Sequence, residues 1–308
     1  MFDPSMIMFF LLFAGVFAID IGIFDMFGTS GGDSNGETDK AEETYSPDGP
    51  EFDAANYTNT VYGSNGDDTA VAGDDDKDVA YLLADGNDVL VATDGNDYAD
   101  GGSGDDTLTG RAGDDKLSGG EGDDTLNGGS GDDAIWGGAG NDVIKGHGDD
   151  DTIFGGDGDD VIEGGYGDDE IFGGEGNDTI SSDLLNSPGQ MGRGIDVIDG
   201  GGGDDNIFLG DGDTATGGEG ADTFEVFEIA SPDAAAANIT DFNASEDSLH
   251  VNYYPQTDAA GDPVDPGLSV TYDSDTDVTS VSIFDSTVAT LAGDAGITEA
   301  DVTLSEIV

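Results

Sequence analysis

Aliphatic residues recur every nine positions through the centre of the chain. Between Gly101 and Ser181 the sequence divides into nine consecutive nonapeptides, and the eighth position of each one is Leu or Ile. Glycine dominates the first, second and fourth positions, and aspartate holds the sixth position in all nine. A fixed period of this kind is typical of repeat folds, in which each unit stacks its few apolar side chains on those of its neighbours. The pattern predicts a stacked fold with a thin apolar core.

Weaker copies of the nonapeptide flank this block on both sides. Upstream copies begin at Gly63, and downstream copies run from Met191 to Glu225. The segment Ser182–Gln190 keeps the nine-residue phase but lacks the motif, so it is either an inserted loop or a blank repeat. The repeats are therefore predicted to extend over 63–225, which is more than half of the chain.

The consensus G-G-x-G-x-D-x-U-x, with an aliphatic residue at U, resembles the repeats of RTX (repeats-in-toxin) proteins of the hemolysin-type calcium-binding family. The resemblance implies an all-β fold, a right-handed parallel β-roll (a β-solenoid) with two nonapeptides per turn. It implies six loop residues and three strand residues in each repeat. His147 and Asp149 stand where the pattern has glycine, which makes the geometry of that one loop uncertain from sequence.

Composition restricts the chemistry that the chain can perform. Asp and Glu number 70 against 6 Lys and Arg, so the formal net charge is -64. A chain this acidic has no basic face for phosphates, which excludes nucleic acid as a partner. The chain has no Cys and 2 His, so thiolate metal sites are excluded and a histidine-based catalytic centre has little material. The composition instead indicates cation binding.

Aspartate confined to one position of a glycine-rich loop is suited to Ca²⁺, which takes six to eight oxygen ligands from carboxylates and carbonyls. Glycine permits the tight loops that turn carbonyl groups inward. In a roll with two nonapeptides per turn, one ion would bridge sixth-position aspartates eighteen residues apart, with about one ion per well-formed repeat. Mg²⁺ fits less well because it demands strict octahedral geometry. The predicted metal ligands are Asp68, Asp88, Asp97, Asp106, Asp115, Asp124, Asp133, Asp142, Asp151, Asp160, Asp169, Asp178, Asp196, Asp205 and Asp222.

Aromatic residues occupy the ninth position at Trp136, Phe154, Phe172 and Phe208, at intervals of 18, 18 and 36 residues. This spacing predicts that all four lie on one side of the roll, pointing away from the aliphatic core. They form either a cross-strand aromatic ladder, which the pattern favours, or a docking stripe for a surface partner.

Four regions are predicted along the chain. Residues 1–27 form an apolar segment, 28–62 a disordered acidic linker, 63–225 the roll, and 226–308 a β-rich cap. The apolar run over 6–24 is either an export signal or a membrane tether. The cap is predicted to consist of antiparallel strands, and its resemblance to the regions that follow RTX repeats implies a possible type I secretion signal. Each export route predicts an extracellular or cell-surface location.

The sequence predicts a calcium-binding structural protein without enzyme activity, which folds when Ca²⁺ neutralises its loops. Two alternatives remain open. One is an adhesin or surface-binding module that uses the outer face of the roll. The other is the non-catalytic remnant or tail of an RTX enzyme, since no H-E-x-x-H motif is present and few residues precede the repeats.

Overall fold

The computed structural model describes residues 49–50, 52–72, 77–182, 194–227, 235–258 and 260–307. The predicted tether over 6–24 lies outside these ranges. Within them, the helical content is one 3-10 turn, Ala54–Asn56, and no helix has the length and apolar character needed to cross a bilayer.

The described residues form 24 strands. In chain order they are β1 (Asn59–Tyr62), β2 (Thr69–Val71), β3 (Val79–Leu82), β4 (Val89–Val91), β5 (Tyr98–Ser103), β6 (Thr107–Ala112), β7 (Lys116–Glu121), β8 (Thr125–Ser130), β9 (Ala134–Ala139), β10 (Val143–Gly148), β11 (Thr152–Asp157) and β12 (Val161–Tyr166). They continue with β13 (Glu170–Glu175), β14 (Thr179–Ser181), β15 (Val197–Gly202), β16 (Asn206–Leu209), β17 (Thr214–Glu219), β18 (Thr223–Phe227), β19 (Ala237–Ile239), β20 (Ser248–Tyr253), β21 (Ser269–Asp273), β22 (Val278–Ile283), β23 (Ser286–Ala292) and β24 (Val302–Glu306).

Successive strands alternate between two sheets, which confirms the predicted parallel β-roll. Sheet A has 13 strands in the order β1-β3-β5-β7-β9-β11-β13-β15-β17-β19-β23-β22-β21, and sheet B has 11 strands in the order β2-β4-β6-β8-β10-β12-β14-β16-β18-β20-β24. Thr107 pairs with Thr125, and Lys116 pairs with Ala134, in parallel register. The separation of eighteen residues means that one turn of the roll contains two nonapeptides.

In the central repeats, the core lies between the two sheets and consists of the eighth-position residues. These aliphatic side chains are 0% exposed from Leu108 through Ile180. Because side chains alternate across a strand, the seventh and ninth positions face the other side of each sheet. The core therefore receives one aliphatic side chain per nonapeptide, as the periodicity predicts.

The strands of the central repeats are six residues long, whereas the sequence predicts three. Strand β6 includes the first three residues of the next nonapeptide, and Gly102 on β5 pairs with Gly120 on β7. Glycine has no side chain to interrupt the ladder, so main-chain pairing continues through the first positions of the repeat. The loop is thereby reduced to positions four to six.

The register between paired strands changes from 18 to 27 residues between β13 and β15. Strand β13 pairs directly with β15, and their partners, such as Phe172 and Asp199, are separated by 27 residues. The nine additional residues between paired positions reverse the sheet assignment of the nonapeptides that follow. Phe208 therefore lies on sheet B beside Ser181, and the prediction that it shares a side with Trp136 is wrong.

The sheets extend beyond the repeats at both ends. Strand β1 begins at Asn59, inside the range that the sequence predicts to be disordered linker, because its main chain pairs with β3. At the other end, β20 and β24 continue sheet B in parallel. Strands β21, β22 and β23 form the predicted antiparallel unit, which is attached to the edge of sheet A.

Candidate metal centre

The sixth-position aspartates are buried, although each carries a carboxylate. From Asp88 to Asp222 the predicted ligands are at most 2% exposed, and Asp68 is half-buried. Each follows directly after a loop, and the aliphatic residue two positions later anchors the next strand in the core. The alternation of a core residue and a buried carboxylate therefore follows from the local repeat.

These carboxylates stack in two columns, one at each junction between the sheets. In each column, the N–H of one aspartate donates to Oδ1 of the aspartate one turn later, with distances between 2.7 and 3.1 Å. The first column contains Asp68, Asp88, Asp106, Asp124, Asp142, Asp160, Asp178, Asp205, Asp222 and Asp247. The second column contains Asp97, Asp115, Asp133, Asp151, Asp169, Asp196 and Asp213.

In most aspartates of the two columns, the second carboxylate oxygen, Oδ2, has no hydrogen-bond partner. Eleven Oδ2 atoms are buried without a donor: those of Asp88, Asp106, Asp115, Asp124, Asp133, Asp142, Asp151, Asp160, Asp169, Asp178 and Asp205. A buried polar atom without a partner is costly, and a charged one is more so. Each of these oxygens therefore requires a proton or a cation.

A main-chain carbonyl oxygen lies close to nine of these eleven oxygens. A Cβ added at Gly119 would overlap both Asp124 Oδ2 and the carbonyl oxygen of Gly137, one turn later. Position 119 must therefore be glycine, because the carboxylate and the carbonyl occupy the space that a side chain would need. Carboxylate and carbonyl oxygens converging on one small space are the donors that Ca²⁺ prefers.

The electrostatic environment disfavours charge on these groups. Desolvation by burial, aided by the charges of neighbouring aspartates of the same column, raises the pKa of Asp115 and of Asp151 to about 9. Burial likewise raises the pKa of Asp124 to about 7, against the lowering effect of the hydrogen bond from Asp106. A divalent cation would reverse this balance by stabilising the ionised form.

Fifth-position residues form a second, exposed series of hydrogen bonds with the opposite polarity. Asp105 Oδ1 accepts from the N–H of Asp123, 3.2 Å away, and Asp123 Oδ1 accepts from the N–H of Asn141, 2.9 Å away. In this exposed series, each side chain accepts from an N–H of the following turn. In the buried columns, each side chain accepts from an N–H of the preceding turn. Both series fix the loops relative to one another.

The columns contain two aspartates that the sequence analysis missed. Asp213 Oδ1 accepts from the N–H of Asp196, 3.1 Å away, and Asp247 Oδ1 accepts from the N–H of Asp222, 3.0 Å away. Asp213 lies in a shortened repeat, and Asp247 lies beyond the glycine repeats. The signal that could have identified both is an aspartate two residues before a buried core residue, here Ala215 and Leu249.

Carboxylates alone do not complete a metal site. Across the described ranges, no three or more His, Cys, Asp or Glu side chains converge closely enough to hold an ion. The histidines have other contacts, since His147 Nε2 lies 2.9 Å from Asn127 Nδ2 and His250 Nδ1 lies 2.7 Å from Glu225 Oε1. Carbonyl oxygens must supply the remaining ligands.

The loop that departs from the glycine pattern keeps the common geometry. His147 and Asp149 adopt positive φ angles of 88° and 75°, in the region that glycine occupies in the other repeats. Two residues with side chains are therefore held in a conformation that costs them energy. The column continues through this loop without interruption, from Asp133 to Asp151.

Three of the four aromatic residues form a stacked ladder on sheet A. The ring centroids of Trp136 and Phe154 are 5.6 Å apart, and those of Phe154 and Phe172 are 4.9 Å apart. This arrangement agrees with the cross-strand ladder that the pattern favours. Phe208 is instead near Phe227 on sheet B, at 6.3 Å.

Comparison with known proteins identifies one family. A family model described as RTX calcium-binding nonapeptide repeat (4 copies) matches residues 53–76, 84–117, 109–144, 118–153, 145–180 and 192–214. No curated protein matches the sequence.

Two solved structures resemble parts of the chain. The AlgE6R3 subunit from the Azotobacter vinelandii mannuronan C5-epimerase is 26% identical, with a TM-score of 0.22, over 48% of this chain and 79% of that one. The extracellular lipase LipA from Serratia marcescens is 19% identical, with a TM-score of 0.22, over 74% of this chain and 42% of the lipase.

Proposed function

The central part of this chain belongs to the RTX calcium-binding nonapeptide-repeat family, and from that premise we propose that the protein is a non-catalytic, extracellular or cell-surface scaffold that folds on binding several Ca²⁺ ions. The observation that carries this proposal is the series of eleven buried Oδ2 atoms without a donor. Those oxygens lie at regular intervals along the stack, so one explanation must serve for all of them.

The proposed ligands are the interior members of the two columns. Each ion would take Oδ2 of a sixth-position aspartate together with carbonyl oxygens of the glycine-rich loops. Asp124 and the carbonyl oxygen of Gly137 illustrate the donor set, because both border the space above Gly119. Ca²⁺ supplies the positive charge that a buried carboxylate needs, and its flexible coordination tolerates ligands from the main chain.

Calcium binding and folding are coupled in this proposal. The net charge of -64 repels the chain from itself, and the core contributes only one aliphatic side chain per nonapeptide. A core this thin offsets little of the conformational entropy that ordering the loops costs. Ions that bind only the folded roll therefore supply the missing stabilisation.

The proposed location follows from calcium availability. Extracellular calcium-binding modules work at dissociation constants of about 10⁻⁴–10⁻³ M, where a roll of this type would be loaded and folded. Where calcium is scarce, the same chain would be extended. We assign it no catalytic role, because its buried carboxylates support neighbouring loops and the histidines contact Asn127 and Glu225.

Circular dichroism of the full chain during a calcium titration tests this function. We expect a largely disordered spectrum in chelator at neutral pH, a cooperative gain of β-structure with Ca²⁺, and little change with equimolar Mg²⁺. A fully β-rich spectrum in chelator would refute coupled folding. Isothermal titration without detectable Ca²⁺ binding would refute the function itself.

A further inference from the structure

The aspartates at the ends of the two columns differ from eleven of the thirteen aspartates in the interior. The first column begins at Asp68 and ends at Asp247, and the second begins at Asp97 and ends at Asp213. At all four ends, Oδ2 accepts a hydrogen bond from a residue three or four positions earlier in the chain. None of these four oxygens is among the eleven without a donor.

At the amino-terminal ends, the donors come from the preceding loop. Asp97 Oδ2 accepts from the N–H and from the hydroxyl group of Thr93, each at 2.7 Å. Asp97 Oδ1 accepts from the N–H of Val79, also at 2.7 Å, so both oxygens are satisfied. Asp68 Oδ2 accepts from the N–H of Ser64 at 2.5 Å. Burial still raises the pKa of Asp97, and the hydrogen bonds from Thr93 and Val79 oppose that effect, so both oxygens have donors without a cation.

The carboxy-terminal ends use the same device. Asp213 Oδ2 accepts from the N–H of Gly210, 2.7 Å away, and Asp247 Oδ2 accepts from the N–H of Asn243, 2.7 Å away. Oδ1 of each aspartate accepts from the N–H of the preceding member of its column. Both oxygens of both groups are therefore engaged.

In an interior loop, the N–H four residues before the aspartate donates to a main-chain carbonyl and not to the carboxylate. Gly165 lies four residues before Asp169, and its N–H donates to the carbonyl oxygen of Ser182 in the next turn, 2.9 Å away. That amide is part of the sheet ladder and does not reach the carboxylate. Asp169 Oδ2 consequently has no donor.

We propose that Asp68, Asp97, Asp213 and Asp247 are metal-independent stops, so that calcium fills only the interior of each column and the four end loops fold without it. This inference rests on the proposed function, because it divides the same columns into sites that require an ion and sites that do not. It removes Asp68 and Asp97 from the predicted ligands.

The stops give the stack defined ends. A solenoid with unsatisfied terminal units exposes them to solvent or to other chains, and capping units prevent this. Here, end loops that form their own hydrogen bonds provide ordered surfaces next to the first and last calcium sites. Calcium binding can then extend the fold inward from these ordered loops, so folding does not have to start from a fully disordered chain.

Matched substitutions within the second column test the assignment. Asp97→Asn and Asp213→Asn alter the stops, and Asp115→Asn and Asp133→Asn alter interior sites. Bound calcium per chain is measured by equilibrium dialysis at saturating Ca²⁺. We expect the interior variants to lose at least one ion each and the stop variants to keep the wild-type number. Equal losses in both groups would overturn the stops but leave the proposed function intact. Interior variants that keep every ion would instead refute the proposed ligands.

Hydrogen exchange of the wild-type chain in chelator tests the same inference without any substitution. Peptides that contain 93–97, 210–213 and 243–247 are compared with a peptide that contains 119–124. We expect slower exchange in the three end peptides than in the interior peptide. Equal exchange in all four would contradict folding of the end loops before calcium binds.

Discussion

The amide of Asp124 donates to Oδ1 of Asp142, which lies eighteen residues later in the chain and 2.7 Å away in the structure. The same carboxylate that offers its Oδ2 to the proposed metal site therefore holds the loop of the preceding turn. In the proposed function, binding of an ion by Asp142 and ordering of the preceding loop are coupled, because a single side chain does both. Folding should consequently be cooperative along each column.

Replacing Asp142 with Ala should weaken calcium-dependent folding strongly. The substitution removes an Oδ2 without a donor and leaves the buried N–H of Asp124 unpaired, which costs about 1–3 kcal/mol. We expect the calcium midpoint, followed by circular dichroism, to rise by roughly tenfold, since 1.4 kcal/mol corresponds to a factor of ten. Glu121→Ala removes an exposed carboxylate and is the control. Equal midpoints for the two variants would contradict the role of Asp142.

Alanine should be rejected at the first position of a repeat and accepted at the third. In Gly119→Ala, the new Cβ would overlap Asp124 Oδ2 and the carbonyl oxygen of Gly137. Such overpacking costs about 1–3 kcal/mol. In Gly148→Ala, the nearest atom is the carbonyl oxygen of Gly129 at 3.9 Å, so ordinary contact results.

The measurement is thermal unfolding of both glycine variants at saturating Ca²⁺. We expect a lower melting temperature for Gly119→Ala and an unchanged or slightly higher one for Gly148→Ala. A Gly119→Ala protein as stable as wild type would mean that the space above Gly119 is not shared by the carboxylate and the carbonyl.

The aromatic ladder should stabilise sheet A through Phe154. This ring stacks on both Trp136 and Phe172, so Phe154→Ala removes two ring contacts and should cost about 1–3 kcal/mol. Trp136 is the only tryptophan of the chain, and its fluorescence reports directly on the stack. We expect Phe154→Ala to shift the emission in the calcium-loaded state. Phe208→Ala is the control, and an equal shift from it would contradict its position on sheet B.

Protons should partly replace calcium. Burial raises the pKa of Asp115 to about 9 and that of Asp124 to about 7, whereas the unfolded chain releases these protons near pH 4. Between those values, the folded metal-free chain holds more protons than the unfolded one. The stability of the metal-free fold is therefore complete below about pH 4 and declines as the pH rises through the folded pKa values.

We expect more β-structure in chelator at about pH 5 than at about pH 8. The calcium midpoint should rise as the pH falls, because protons compete with the ion for the same carboxylates. Circular dichroism in buffered chelator, and calcium titrations at the two pH values, measure both effects. A metal-free chain with more β-structure at the higher pH would contradict the burial of these carboxylates.

The nonapeptide phase predicts most of the roll but not the change of register between β13 and β15. Asp196 and Asp205 were correctly placed at the sixth position, and both join the columns. Phe208 was assigned to the wrong sheet, because counting residues assumes a constant separation of eighteen between paired positions. Pairing between β13 and β15 decides the matter, and that pairing is a contact between residues far apart in the chain.

The sequence by itself determined the repeat unit: glycine where the loop turns, aspartate at the sixth position and an aliphatic residue at the eighth. Each of these requirements arises within nine residues, so the local pattern is sufficient to reveal it. Only the tertiary structure decided which carboxylate oxygens lack a donor and which, as at Asp97 and Asp213, have one. That distinction depends on the N–H three or four residues before the aspartate, which donates either to the sheet ladder or to the carboxylate. The N–H can join the ladder only where a neighbouring turn of the roll offers it a carbonyl oxygen.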